Sequence, residues 1–258
     1  MMDSVFNQFP VFLLILVRVA SFFVTAPLFS YRNIPNTFKL GLALFFSWMM
    51  FYSVDASLDV NQFYFLLIIK EALVGLFIGF IAAVMTYALQ VAGGFIDYQI
   101  GFAIANVIDP QTGVQSPLIG RYFYIVAIIF MFAVNAHHLL LDGIFYSYQF
   151  IPLQDVFFPF DKEAVPMFVL KTVSAMFLIA FQMAIPIVGS IFLLDVALGI
   201  IARTVPQVNV FVVGLPLKIL AGFVVILFIM PILFMTIQYI VEQMAVVMRD
   251  FMLLIGAS

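Results

Sequence analysis

Most of the 258 residues are apolar, 66% hydrophobic against 9% charged, yet several ionisable side chains stand inside or beside the apolar stretches: Arg18, the pair Lys70 and Glu71, Asp97, Asp142, Asp195 and Lys218. A charge at membrane depth costs about 2.5–3.5 kcal/mol on insertion scales, so each calls for a partner or a task. Asp97 and Asp195 admit two chemistries. In a transporter such carboxylates carry protons or cations, because burial brings their titration into the working range. In an assembly they are polar contacts between helices or subunits. A carrier chain brings several carboxylates at helical spacing on facing helices, and these are isolated, so Glu71, Asp97 and Asp195 read first as buried polar contacts. Lys70 and Glu71 come early in their helix, where an interface can hold them. Lys218, between Pro216 and a long apolar run, reads as a cation that reaches back toward water.

The remaining candidates for chemistry are few. His138 stands four residues before Asp142 on one helical face, the spacing of a local hydrogen bond. A metal site needs further ligands, and the chain has two histidines and no cysteine. Thiolate catalysis and disulfides are excluded on the same count. There is no phosphate-binding glycine loop with its lysine, no GxSxG and no HExxH, so the sequence predicts no enzyme and no cofactor, and any transport work draws its energy from elsewhere. Ten Lys and Arg residues spread singly, with a formal net charge of -3, argue against nucleic-acid binding.

The elements that must position these groups follow from charge-free length. Residues 72–96, 122–141, 172–194 and 219–241 each run twenty or more positions without a charge, and a bilayer core of roughly 30 Å needs about 20 apolar residues per helix. The chain is therefore read as an all-α membrane protein with about six long hydrophobic helices, near 5–29, 38–54, 63–91, 122–148, 166–201 and 208–240, several of them kinked or interrupted. Arg18 divides the first; the second has only 15 uncharged residues between Lys39 and Asp55. Pro186 and Pro231 predict kinks within later helices. The Met1-Met2-Asp3 start lacks a basic leader, and the first apolar stretch reads as retained. Cationic turns at 32–39 and 202–207 place those segments on the cytoplasmic side, and acidic segments at 55–61 and 152–166 outside, which fits six spans with both ends outside.

Two stripes of small residues recur every four positions: Glu71, Gly75, Gly79, Ala83, and Gly93, Asp97, Gly101, Ala105. Such stripes let helix backbones approach closely where lipid supplies no hydrophobic drive, so Gly75, Gly79, Ala83, Gly93 and Gly101 are expected on helix packing faces. After the second stripe comes Asp109-Pro110-Gln111-Thr112-Gly113-Val114-Gln115-Ser116-Pro117, whose two prolines, glycine and amides preclude a continuous helix. Non-helical backbone at membrane depth survives only when buried in protein or lining a water-filled cavity. The segment is thus either an ordinary surface loop or part of a conduit.

The run GGFIDYQIGFAIANVIDPQTGVQSP, Gly93 to Pro117, resembles the signature of the FliR family, the flagellar member of the FliR/SctT subunits of type III protein export gates. Lys70-Glu71 with Gly75 and Gly79, Asn135 to His138, and RTVPQVNVFVVGLPLKI from Arg203 to Ile219 resemble it too, and the likeness covers nearly the whole chain. The resemblance implies one subunit joining several FliP and FliQ homologues around a channel for unfolded flagellar proteins, with FlhA and FlhB homologues as neighbours, in the bacterial cytoplasmic membrane at the flagellar basal body. It implies a FliP-like part over about 1–164 and a FliQ-like part over about 165–258, lifted largely above the membrane. It also implies that the loop from about Ile108 to Pro117 plugs the closed channel, with Asp97 beside it. A proton-coupled secondary transporter using Asp97 and Asp195 is the alternative from another class, and a structural assembly factor without a channel role is a third.

Overall fold

In the computed structural model, residues 2–31, 33–54, 64–103, 117–155, 164–207 and 209–256 are described. Seven helices account for most of them: α1 (Met2–Thr25), α2 (Asn36–Phe51), α3 (Tyr64–Ile100), α4 (Leu118–Ala133), α5 (Ala136–Phe150), α6 (Ala164–Thr204) and α7 (Val210–Gly256). Among the described residues there is no strand. Three helices, α3, α6 and α7, are each long and apolar enough to cross a bilayer, and α4 with α5 make a fourth if the bent pair is one span. The all-α membrane class stands.

The helix ends have local causes. α1 stops where Ala26-Pro27 leads into a turn with Leu28 at φ +72°, and α2 starts directly after Pro35, whose φ of -57° suits a helix entry. α3 ends because Gly101 takes φ +102°, and its N–H closes the last turn on the Asp97 carbonyl at 3.1 Å. Three boundaries differ from the charge-based reading. α3 runs on through Gly93 and Gly94 to Ile100 rather than 91, and α7 runs to Gly256 rather than 240, since a charge such as Glu242 ends a lipid-compatible stretch without ending a helix. The single helix expected over 122–148 is two, bent by 76°. Asn135 sits at the break with φ +57°, a left-handed conformation that asparagine tolerates better than most residues. Pro10, Pro186, Pro216 and Pro231 all lie inside continuing helices.

The chain divides into two compact units. The first comprises residues 1–85, 131–173 and 241–258. Its core is built from Leu14, Ile15, Val19 and Phe22 of α1, Val74 and Ile78 of α3, Leu140 and Ile144 of α5, and Met244 and Phe251 of α7. The Phe251 ring packs on Phe77 and Phe168 at 6.1 and 5.8 Å between centroids. The second unit comprises 86–130 and 174–240. It buries Leu89 and Ile96 of α3, Phe123 of α4, Ala180 and Ile191 of α6, and Leu233 and Ile237 of α7. Half of the most apolar window of α3 is buried within the chain, but only 22% of that of α6 and 17% of that of α7. Phe228 and Met235 of α7 are almost bare, so the faces of these two helices are left for lipid or other chains.

Candidate functional site

Among the described residues, three constellations hold Arg18, Lys70 with Glu71, Asp97, Asp195 and Lys218, one in the first unit and two in the second. In the first, Arg18 of α1 is wholly buried and forms a two-pronged ion pair with Glu71 of α3: Nε donates to Oε2, and Nη2 donates to Oε1 at 3.0 Å. The remaining Arg18 donors reach Ser147 Oγ at 3.0 Å and the Ile151 carbonyl at 2.9 Å, and the guanidinium lies 4.1 Å from the centre of the Tyr148 ring. Lys70 joins the same carboxylate at 2.8 Å and donates to the carbonyls of Pro152 and Leu153 at 2.8 and 3.2 Å. Two cations thus share one anion. The excess positive charge is offset by three carbonyls just past the C-terminus of α5, where the helix dipole is negative. Glu71 is wholly buried, and Lys70 is buried with it rather than held at an interface, because α1 and the end of α5 supply partners that a local reading of α3 does not contain.

The glycine stripe continues this contact. A Cβ on Gly75 would land on Ser21 Oγ and the Arg18 carbonyl, and one on Gly79 would land on Thr25 Oγ1 and lie 2.8 Å from the Phe22 carbonyl. Thr25 Oγ1 donates to the Leu76 carbonyl at 3.0 Å. Residues 71, 75 and 79 therefore meet positions 18, 21 and 25 in order, and α1 and α3 run parallel in close backbone contact. Ala83, one turn on, is buried.

In the second unit, Asp97 ties the end of α3 to the start of α4. It is almost entirely buried, and the backbone N–H of Ile119 donates to both carboxylate oxygens at 3.2 Å, with the Leu118 N–H directed at it as well. A carboxylate supplied from another helix thereby serves two of the N–H groups that the first turn of a helix leaves unsatisfied. Gly93 makes the approach possible. A Cβ there would sit on the backbone N and Cα of Gly120, and Gly120 in turn faces the Gln90 carbonyl. Gly101 lies one residue past α3, and so outside the helical stripe expected for it; a Cβ there would meet only the end of Leu215 at 2.7 Å.

The third constellation is an ion pair of Asp195 on α6 with Lys218 on α7, to which Gln99 of α3 adds a hydrogen bond at 3.0 Å. Its side chains are 32% and 24% exposed, so Asp195 is a part-exposed contact rather than the buried one expected. Lys218, expected to reach toward water, is partly exposed and also has a carboxylate partner. The hydrogen bond expected between His138 and Asp142 is not formed; the His138 ring lies 4.2 Å from that of His137. Among the described residues, no three His, Cys, Asp or Glu converge as a metal site.

Asp109 to Ser116 lie outside the described residues; Pro117 is described and packs near Gly94. Residue-by-residue reading missed Ser147, Tyr148, Gln99 and Gly120. Of these, only Gly120 carried a signal in the sequence, as a small residue three positions past Pro117.

Residues 9–244 match the family described as bacterial export proteins, family 1. The chain is 51% identical, over the full length of both, to the flagellar biosynthetic protein FliR of Bacillus subtilis (strain 168). It is 29% identical to FliR of Escherichia coli (strain K12), over 84% of this chain and 83% of that one. It is 35% identical to the Yop proteins translocation protein T of Yersinia pestis, over 62% of each. An all-helical membrane chain matched along this length belongs to the bacterial export proteins, family 1, in the FliR/SctT line.

Proposed function

We propose that this chain is the FliR-type subunit of a flagellar type III export gate, completing with FliP and FliQ homologues a channel for unfolded flagellar proteins. At the coarser level, it is a multi-pass membrane component of a type III protein export apparatus. Its part is structural: the described residues present ties between helices. Homologues of FlhA and FlhB are the further neighbours proposed, with a FliP-like part over about 1–164 and a FliQ-like part over about 165–258.

The observation that carries the gate reading is the Asp97 tie. It holds the end of α3 against the start of α4, so Asp97 and Ile119, on either side of residues 104–116 in the chain, lie within hydrogen-bond distance. A segment rooted at one point can project into a channel and withdraw without disturbing either helix. In this reading Asp109 to Pro117 form the plug, and Gly93 with Gly120 let its two roots touch. The bare apolar faces of α6 and α7 support several neighbouring subunits.

A proton-coupled transporter using Asp97 and Asp195 is the weaker reading, because one carboxylate is occupied by a helix terminus and the other by Lys218. The test is to express the chain with FliP and FliQ homologues, purify the complex, and delete 110–116. An assembled particle with one copy of this chain and an increased leak to small solutes is expected. An assembled particle with unchanged leak would overturn the plug, and a monomer indifferent to those neighbours would overturn the gate.

A further inference from the structure

We propose that a groove in the first unit binds the headgroup of a zwitterionic aminophospholipid, of the phosphatidylethanolamine class. The groove, about 310 Å³, runs between α5 and the last turns of α7. Its floor is apolar and deformable: Leu139, Phe150, Met248 and Met252 line it, and the Met248 side chain packs over Gly143, its methyl 2.5 Å from where a Cβ would stand. Its rim carries opposite charges, Asp142 on α5 and Arg249 on α7.

Both charges are exposed, and they do not pair with each other. Asp142 has no hydrogen bond or ion pair among the described residues, and the one ionic contact of Arg249 is a loose 3.8 Å approach to its neighbour Asp250. Asp142 is also the lone charge between Arg121 and Asp155 in the sequence, so its own helix offers it no cation. A molecule that brings an ammonium to Asp142 and a phosphate to Arg249 would satisfy both at once, and its acyl chains would continue onto the methionine floor. The volume suits a headgroup and its first methylenes rather than the width of a packed helix. Tyr146 on the same rim, near the end of α5, is a side chain that favours the headgroup level. Ethanolamine donates N–H bonds to a carboxylate and choline cannot, which makes the site selective between two zwitterions.

The test is native mass spectrometry of the full chain in mild detergent, with phosphatidylethanolamine, phosphatidylcholine or phosphatidylglycerol added. The unaltered chain should retain the ethanolamine lipid roughly three- to tenfold over the other two. Asp142→Asn should abolish that preference, and Arg249→Gln should lower retention of all three. Equal retention of the three lipids, or preference for the glycerol lipid, overturns the proposal on the unaltered chain alone, whatever the variants do. An ethanolamine preference that survives both substitutions also overturns it. So does a photo-crosslinker at Gln149 that captures protein and no lipid in cells.

Discussion

The two ion clusters use the same chemistry with opposite weight. Arg18, Lys70 and Glu71 are shut away from water, and every donor the structure gives to Arg18 and Lys70 ends on an oxygen of the first unit. Asp195 and Lys218 stand partly open, with Gln99 as their one further partner. In the closed cluster, desolvating three charges costs several kcal/mol per ion unless the partners are complete, so the cluster tolerates one arrangement of α1, α3 and the α5 terminus. In the open one, water can replace either partner at little cost. A buried cluster fixes which helices meet; an open one ties helices that can part.

The largest effect should therefore follow removal of the shared anion. Glu71→Gln leaves Arg18 and Lys70 buried as uncompensated cations and is expected to cost about 3–5 kcal/mol. The check is the amount of full-length chain held in the membrane and its thermal unfolding in detergent; near-normal values would mean the cluster is wet in the assembled state. Next is Gly93→Val. Its Cβ falls on the main chain of Gly120, which cannot rotate away, so a loss of about 1–3 kcal/mol or more is expected. Gly101→Ala meets only the tip of Leu215 but must hold φ +102°, a strain of about 1–3 kcal/mol confined to the end of α3. If Gly101→Ala proved as damaging to accumulation as Gly93→Val, backbone conformation would outweigh close packing at this junction.

What the sequence makes legible is local. Apolar length needs no partner to be recognised, so each long helix is readable, and the four-residue spacing of Glu71, Gly75 and Gly79 marks a face before anything is known of what it meets. The pairing of Arg18 with Glu71, 53 positions apart, has no local trace beyond a cation that lacks a counter-ion. The 76° bend rests on one left-handed residue, Asn135, and the polar run Asn135 to His138 that accompanies it carries no charge, so it does not interrupt a stretch read by charge-free length. Asp195 looked like Asp97 in sequence, a single acid beside apolar residues. What separates them is the neighbour: a helix terminus for one, a lysine 23 positions on for the other.

Asp97→Ala tests the tie with a smaller expected cost, about 0.5–2 kcal/mol, the usual range for a lost helix cap. Asn in its place keeps an acceptor and should recover part of it. If the tie serves the gate, Asp97→Ala should raise solute leak in the assembled complex more than its effect on accumulation would suggest, and Asp97→Asn should lie between.

The smallest effect is expected where the cluster is open. Asp195→Asn removes the carboxylate but keeps a side chain of the same shape that can still accept from Gln99. A part-exposed pair of this kind is worth about 0–1 kcal/mol, so accumulation should hardly change. The pair does, however, join α6 to α7 at the level of the α3 terminus. Lys218→Asp, which sets two carboxylates face to face, should therefore do more harm than Asp195→Asn, and Asp195→Lys combined with Lys218→Asp should restore what either reversal loses. Measured as motility in cells with normal levels of the chain, that ordering isolates the tie from mere stability. If both single reversals swim normally, the second unit is held by its apolar contacts alone, and the contrast between the clusters becomes one between a structural lock and an incidental contact.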